Sequence, residues 1–461
     1  MSAMRAIDFG RDLALLAPQI TVALTGVVAL GAEMLRRPRA ALWLTVAGLL
    51  VATGLAVPLV GRDTTVFAGT YRIDVLSVWA TLILSPATAL SAILAVGEVR
   101  GTDREGTVYS LLAFTTVGPL ALAGAGDLMF LVLGVLISSL GSFALVAYPR
   151  DDRATEAAMK YFVFGSVTSA IMIFGLTYWF GATGSTMLGD LHRLAGMRLV
   201  AVAGLVAVLV GLGYKAAIVP FHFWAPDAYD GGPVAVAAYL SIVPKVGAIF
   251  GLAQVMADLP AQLSVWRIVV ALLAVVSMTY GNLAALPQEN VVRLLAYSSI
   301  AQAGYFLLGV VALGHGTLAV QSLVVFAAAY AAMNLGAFAV VLRTGRDLAG
   351  FGGLGRQAPW TGGAMVIFLL SLVGVPPLAG FAGKVLLFGA AMDAGFVWLA
   401  IVAIANSVLS LAVYLRVIVP LYGPTQPVRP ALRTTVLVWS VALVLTVLLG
   451  LGVQALVGQV A

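Results

Sequence analysis

The chain has 461 residues, of which 62% are hydrophobic and only 10% charged; a soluble domain carries about 25% charge, so a water-facing surface is excluded. The absence of cysteine excludes disulfides, iron–sulfur clusters and thiol catalysis, and the three histidines (His192, His222, His315) lie too far apart to give a metal-ligand spacing. The net charge of +6 comes mainly from arginines scattered over short connections, a pattern of membrane topology and not of nucleic-acid binding.

An all-α polytopic membrane protein follows. Apolar runs of roughly 20 residues, enough to cross about 30 Å of hydrocarbon, occur fourteen times, near 13–34, 40–60, 75–96, 107–124, 128–148, 160–180, 199–223, 233–256, 265–285, 294–313, 317–342, 361–391, 396–421 and 432–458. The opening MSAMRAIDFGRD leads into a run too long, and too poor in small residues at its end, for a cleavable signal. The remaining connections are too short for a soluble domain or a nucleotide-binding motif. Alternate connections hold fifteen and seven of the Lys and Arg residues. The fifteen-charge side, which includes Arg36, Arg100, Arg150, Arg153, Lys160, Arg293, Arg346 and Arg429, is expected to be cytoplasmic. The side with seven, Arg5 and Arg72 among them, is expected to face outward, and the even number of spans places both termini there.

Only four residues are lysine, against 21 arginines. Lys160 stands at the mouth of the sixth span, but Lys215, Lys245 and Lys384 fall inside apolar runs, where an ionisable group costs about 2.5–3.5 kcal/mol or more. A pairing or packing role is the plain reading. A buried titratable path is the functional one, and lysine suits it because arginine effectively never releases its proton. The spans that carry these lysines also contain prolines: Pro220 five residues after Lys215, Pro244 immediately before Lys245, and Pro376–Pro377 ahead of Lys384. Prolines remove backbone bonds and kink or break helices, so interruptions are expected in all three spans. Breaks in the seventh and twelfth spans, five apart, fit a transporter built from two inverted five-helix repeats, spans 4–8 and 9–13. The expected organisation is 1–106 (three helices), 107–256 (first repeat), 265–421 (second repeat) and 432–461 (a last helix).

The segment GYKAAIVPFHFWAPDAYDGGPVAVAAYLSIVPKVGAIF (213–250) resembles the antiporter-like membrane subunits of proton-pumping NADH–quinone oxidoreductase, respiratory complex I, and its PFHFWAPDAYDGGP form resembles the subunit N branch. NLAALPQENVVRLLAYSSIAQAGYFLLG (282–309), GVPPLAGFAGKVLLF (374–388) and EAAMKYFVFGSVTSAI (156–171) extend the resemblance over spans 4 to 13. It implies a proton path through Lys215, Lys245 and Lys384, driven by quinone reduction elsewhere in the complex. His222, Asp227, Ser138, Ser139, Tyr297, Ser298 and Gln302 are accessory candidates; His222 and Asp227 read equally as a gate or as a cap and loop anchor. It further implies no cofactor in this chain, with quinone, NADH, FMN and iron–sulfur clusters in partner subunits. The partners implied are other membrane-arm subunits and the lipid bilayer, in a bacterial inner membrane.

The chain departs from the family at three places, one of them Val292, where a lysine is common before Arg293. Where the family has a glutamate facing the seventh-span lysine, LGVLISSL (133–140) has Leu136, and Gln302 stands in place of a histidine. All nineteen carboxylates fall in connections or near span ends, so Lys215 is left without an intramembrane carboxylate. Two readings remain open: a divergent copy with altered coupling, or a relay in which Ser138, Ser139 or water replaces the carboxylate. The competing functions are a subunit of a multisubunit cation/proton antiporter, and a structural copy with weakened pumping.

Overall fold

The computed structural model describes residues 8–260, 263–424, 430 and 432–460; Arg5 and Arg429 of the charge count lie outside them. In hydrocarbon every backbone polar group must be satisfied within its own segment, which leaves the helix as the working unit. The described residues are accordingly almost all helical. A short α1 (Phe9–Leu15) precedes α2 (Ala17–Met34), α3 (Pro38–Ala56), α4 (Val75–Val99), α5 (Glu105–Ala123), α6 (Leu128–Val146), α7 (Asp152–Thr183) and α8 (Arg198–Ala216). The short α9 (Trp224–Gly231) leads into α10 (Val234–Asp258), α11 (Trp266–Ala285), α12 (Val291–Val311) and α13 (Leu318–Thr344). After α14 (Leu354–Gln357) come α15 (Pro359–Val373), α16 (Ala379–Asp393), α17 (Val397–Leu421), α18 (Arg433–Leu451) and α19 (Val453–Val460). A two-stranded antiparallel hairpin, β1 (Thr64–Val66) with β2 (Tyr71–Ile73), pairs Thr64 with Ile73 and Val66 with Tyr71.

Thirteen of the described helices are long and apolar enough to cross a membrane. The remaining expected span, the twelfth (361–391), is split into α15 and α16, each of 15 residues. Gly374, at φ 97°, closes α15, returning its N–H to Leu370 and Ser371. In the seventh span α8 ends at Ala216 because Ala217 turns left-handed (φ 57°), and Ala217 and Ile218 return their N–H groups to Tyr214 and Gly213, a closure that exhausts the helix before Pro220. The expected break at Pro244 does not occur. Helix α10 runs unbroken through it; a proline removes one backbone bond, but this helix is buried from Val234 to Met256 and the packing of its neighbours keeps it continuous.

Helices α10, α12 and α13 form the centre, with α4 and α5 packed on α10. The outer helices present apolar faces, among them Leu24, Trp43, Phe174, Ile401 and Val444. An apolar stripe inside and another outside is what a helix needs between a protein core and lipid. Charged groups stand at both ends of α10. At its start Glu98 of α4 accepts the N–H groups of Val234 and Ala235 at 2.8 and 2.9 Å, filling two of the orphan donors of a helix N-terminus. At its far end Asp258 forms an ion pair with Arg72 of β2.

Candidate functional site

The three intramembrane lysines are buried, at 0%, 2% and 1% exposure for Lys215, Lys245 and Lys384. None of them forms an ion pair among the described residues. A lysine ammonium carries three donors and no acceptor, so each must find oxygen elsewhere. Lys215, in the last turn of α8, donates to Ser139 Oγ on α6 and to the Tyr161 hydroxyl on α7, both at 3.2 Å. Lys245 on α10 donates to Ser299 Oγ on α12 at 2.6 Å, and lies 5.7 Å from the Tyr229 ring centre. Lys384 on α16 donates to the Leu372 and Val373 carbonyls at 2.9 and 3.0 Å and to Ser407 Oγ at 3.1 Å, with its ammonium 4.0 Å from the Tyr305 ring centre.

Both breaks use the chemistry of a helix end. The last carbonyls of a helix lack intrahelical partners and carry the negative end of its dipole. Lys384 reaches across its break to two such carbonyls at the end of α15, and Lys215 stands in the last turn of α8. At the second break the backbone thus supplies part of what a carboxylate would supply from a side chain, whereas Lys215 is held by two side-chain hydroxyls.

The lysines are joined in a row. Tyr161 stacks on Trp224 at 4.3 Å, Trp224 meets the Tyr229 ring at 6.1 Å, and Tyr229 faces Lys245. Ser299, which holds Lys245, is three residues from Gln302 on α12, close to one turn. Gln302 donates to the Leu372 carbonyl at 3.2 Å, the same oxygen that Lys384 holds, and to the Tyr414 hydroxyl at 3.3 Å. The accessory candidates divide. Ser139 and Gln302 join the row. Ser138 Oγ has no partner among the described residues, and Ser298 meets the Tyr414 hydroxyl at 2.6 Å, the hydroxyl that also holds Gln302, and touches no lysine directly. Half-buried Tyr297 packs near Tyr280 at 6.4 Å, apart from the lysines. His222 sits in the break after α8, with its ring 4.7 Å from Tyr280 and Nδ1 without a partner among the described residues. Leu136 is 40% exposed on the outer surface of α6, one turn before Ser139.

Asp227 does not cap α10, which begins after Pro233. It bridges Lys160 at 3.1 Å and Arg293 at 2.9 Å. Beside it Asp230 pairs with Arg153, lies 3.6 Å from Arg346, and accepts from Asn290 at 2.7 Å. Arg153, Lys160, Asp227, Asp230 and Arg293 line a small cavity of about 170 Å³, and two larger clefts, of about 660 and 760 Å³, share Glu98 and Arg346 on the same side. A cluster of carboxylates thus stands at the arginine-rich mouth, and Asp258 and Asp74 stand at the opposite end, while the groups around the three lysines are hydroxyls, amides, His222 and backbone carbonyls. Sequence reasoning missed Tyr161, Tyr229, Tyr305 and Ser407, as well as Asn334, which donates to Ser241 Oγ at 2.5 Å one turn from Lys245. Nothing in the local sequence distinguishes these from packing residues.

Broken spans around a row of buried lysines define a polytopic membrane protein of the ion-path type. Residues 125–410 match the family model described as NADH:quinone oxidoreductase/Mrp antiporter, TM, and the chain belongs to that family. It is 38% identical over 450 residues to NADH-quinone oxidoreductase subunit N of Mycobacterium sp. (strain JLS), covering 95% of this chain and 96% of the relative. Among solved structures it superposes on a chain of respiratory complex I from Thermus thermophilus with a TM-score of 0.84 and 31% identity, covering 96% of this chain and 98% of that one. A chain of the Mrp complex from Dietzia sp. DQ12-45-1b shares the fold (TM-score 0.86, 24% identity, 97% and 96% covered).

Proposed function

We propose that this chain is the subunit N-type, antiporter-like subunit of the membrane arm of an NADH–quinone oxidoreductase, and that it moves protons along the row Lys215–Lys245–Lys384. The observation that carries the reading is the sharing of the Leu372 carbonyl by Gln302 and Lys384, with Ser299 placing Lys245 on the same helix. Protons enter from the arginine-rich mouth around Asp227, and that mouth faces the cytoplasm of a bacterial cell across the inner membrane, with both termini outside. Lys215, Lys245 and Lys384 each hold and release a proton; Ser139, Ser299, Ser407 and Gln302 hold the amines and the broken helix end in register. Segments 107–256 and 265–421 are the two inverted repeats. NADH oxidation, quinone reduction and their flavin and iron–sulfur centres belong to partner subunits.

The complex that contains this chain, reconstituted in vesicles, should acidify them when quinone is reduced, and the purified chain alone should neither oxidise NADH nor reduce quinone. Redox activity of the isolated chain would sink the reading. The shared Mrp fold keeps a cation/proton antiporter subunit as the second reading. Cation-driven proton exchange by the complex, without any quinone-reducing partner, would establish that one instead.

A further inference from the structure

We propose that Tyr161 is the positioning residue of Lys215, its phenol holding the lysine nitrogen in both protonation states and tying it to the break in the seventh span. The inference rests on the proton-path reading and adds a residue to it. Among the described residues Lys215 has two hydrogen-bond partners, Ser139 Oγ and the Tyr161 hydroxyl, and both are hydroxyls. An ammonium only donates, whereas a neutral amine offers a lone pair. A hydroxyl does both: it accepts from the ammonium and donates to the amine without either residue moving. A carboxylate accepts from either form but cannot donate to the amine's lone pair.

Tyr161 is itself fixed. Its ring is fully buried, stacked on Trp224 (4.3 Å, 12° between planes) and met edge-on by Phe143 at 4.7 Å. Its carbonyl accepts the Tyr214 hydroxyl at 2.6 Å, and Trp224 Nε1 donates to the Tyr214 carbonyl at 2.7 Å. Tyr214 belongs to the end of α8 and Trp224 opens α9, so Tyr161 braces both sides of the break. The preceding residue, Lys160, pairs with Asp227 on the next turn of α9. Helix α7 thus grips α9 through two adjacent residues, one in the charged mouth and one against Lys215. A shift of α9 that follows a change at Asp227 moves Trp224 against the Tyr161 ring, and with it the oxygen that holds Lys215. The titratable groups facing Tyr161 are Lys215 and Tyr214 from α8, Tyr229 from α9 and Tyr239 from α10; α6 presents Ser139, Ser142 and Phe143.

The test uses the whole complex in membrane vesicles and reads protons moved per quinone reduced for the wild type, Tyr161→Phe, Lys215→Met and the double variant. Phenylalanine keeps the ring against Trp224 and Phe143 and removes only the hydroxyl. Tyr161→Phe should fall to within about twofold of Lys215→Met, and the double variant should be no worse than Lys215→Met alone, since a residue acting through another is not additive with it. Wild-type stoichiometry in Tyr161→Phe, or a loss that adds in full to that of Lys215→Met, overturns the positioning role while the lysine path stands. Wild-type stoichiometry in Lys215→Met overturns the path and this inference together. Should Tyr161→Phe fail to assemble, 3-fluorotyrosine at position 161 keeps the ring and the hydroxyl but makes the phenol more acidic. The pH profile of proton transfer should then move, and an unmoved profile refutes the proposal.

Discussion

Lys245 offers the cleanest separation of path from scaffold. Its Nζ makes a single hydrogen bond, 2.6 Å to Ser299 Oγ, and no ion pair among the described residues. Ser299 does not depend on it, since its hydroxyl also bonds the Ala296 carbonyl at 2.7 Å. Lys245→Met removes one hydrogen bond to a charged group, worth about 1.5–3 kcal/mol. It also removes the cost of keeping a cation out of water, which is of similar or greater size, so that replacing buried charge by an apolar side chain of like volume is often neutral or stabilising. The net effect on folding should stay within about 2 kcal/mol, and the complex should assemble. Proton transfer should nevertheless fall at least about tenfold, the equivalent of roughly 1.4 kcal/mol on the barrier of the slowest step. Lys245→Arg keeps the charge and should fail as badly, because arginine does not release its proton. Native gels report assembly, and vesicle acidification driven by quinone reduction reports transfer. An assembled Lys245→Met complex that pumps at the wild-type ratio removes Lys245 from the path.

Other substitutions test the parts around the row. Asp74, ahead of α4, is held by Gln254 at 2.6 Å and the Ser77 N–H at 2.9 Å, yet burial pushes its carboxyl above the usual aspartate range, against the pull of Gln254, Ser77 and Arg72. With the folded value raised, its contribution to stability is complete below about pH 4 and declines as pH rises through the raised value; Asp74→Asn should flatten that decline in melting temperature, and an unchanged slope counts against the assignment. A Cβ added at Gly380 would stand 1.8 Å from the Ser371 carbonyl, so Gly380→Ala should force α16 from α15 at a cost of about 1–3 kcal/mol. It should lower both the melting temperature and the Lys384-dependent transfer; a wild-type melt refutes the tight break. Glu98→Gln keeps one acceptor for the first N–H groups of α10 and loses the charge, a cap worth about 1 kcal/mol, readable as a lowered Tm with the path intact.

How much of this could be read in the sequence depended on whether the signal was local. Three lysines in apolar runs announce themselves because their cost there is large wherever the helices pack. At Pro220 and Pro376–Pro377 the prolines alone signalled a break, and the structure supplies the closure the sequence did not show, a left-handed residue, Ala217 or Gly374, ahead of each proline. Pro244 carries the same residue type without that closure, and its helix continues; the difference lies in the surrounding helices, which the sequence around Pro244 does not describe. The partners of the lysines were beyond local reading. Tyr161 and Ser139 lie 54 and 76 residues from Lys215, and Ser299 lies 54 from Lys245.

Two adjacent pairs make the limit plain. Ser138 and Ser139 differ by 100° of rotation on α6, and Ser139 meets Lys215 while Ser138 does not. Ser298 and Ser299 differ by the same angle on α12, and Ser299 meets Lys245 while Ser298 goes to Tyr414. In a soluble helix the polar face would set that phase. Helix α6 is apolar nearly all round, and α12 is enclosed on every side, so neither shows a stripe from which the phase could be inferred. The phase is set instead by close approaches of helices. Gly118 of α5 lies against Gly134 and Ser138 of α6, and Gly281 of α11 lies against Tyr297 and Ala301 of α12. Those contacts turn Ser138 and Tyr297 toward the neighbouring helix. Ser139, one position past Ser138, and Ser299, two positions past Tyr297, are carried round toward the lysines.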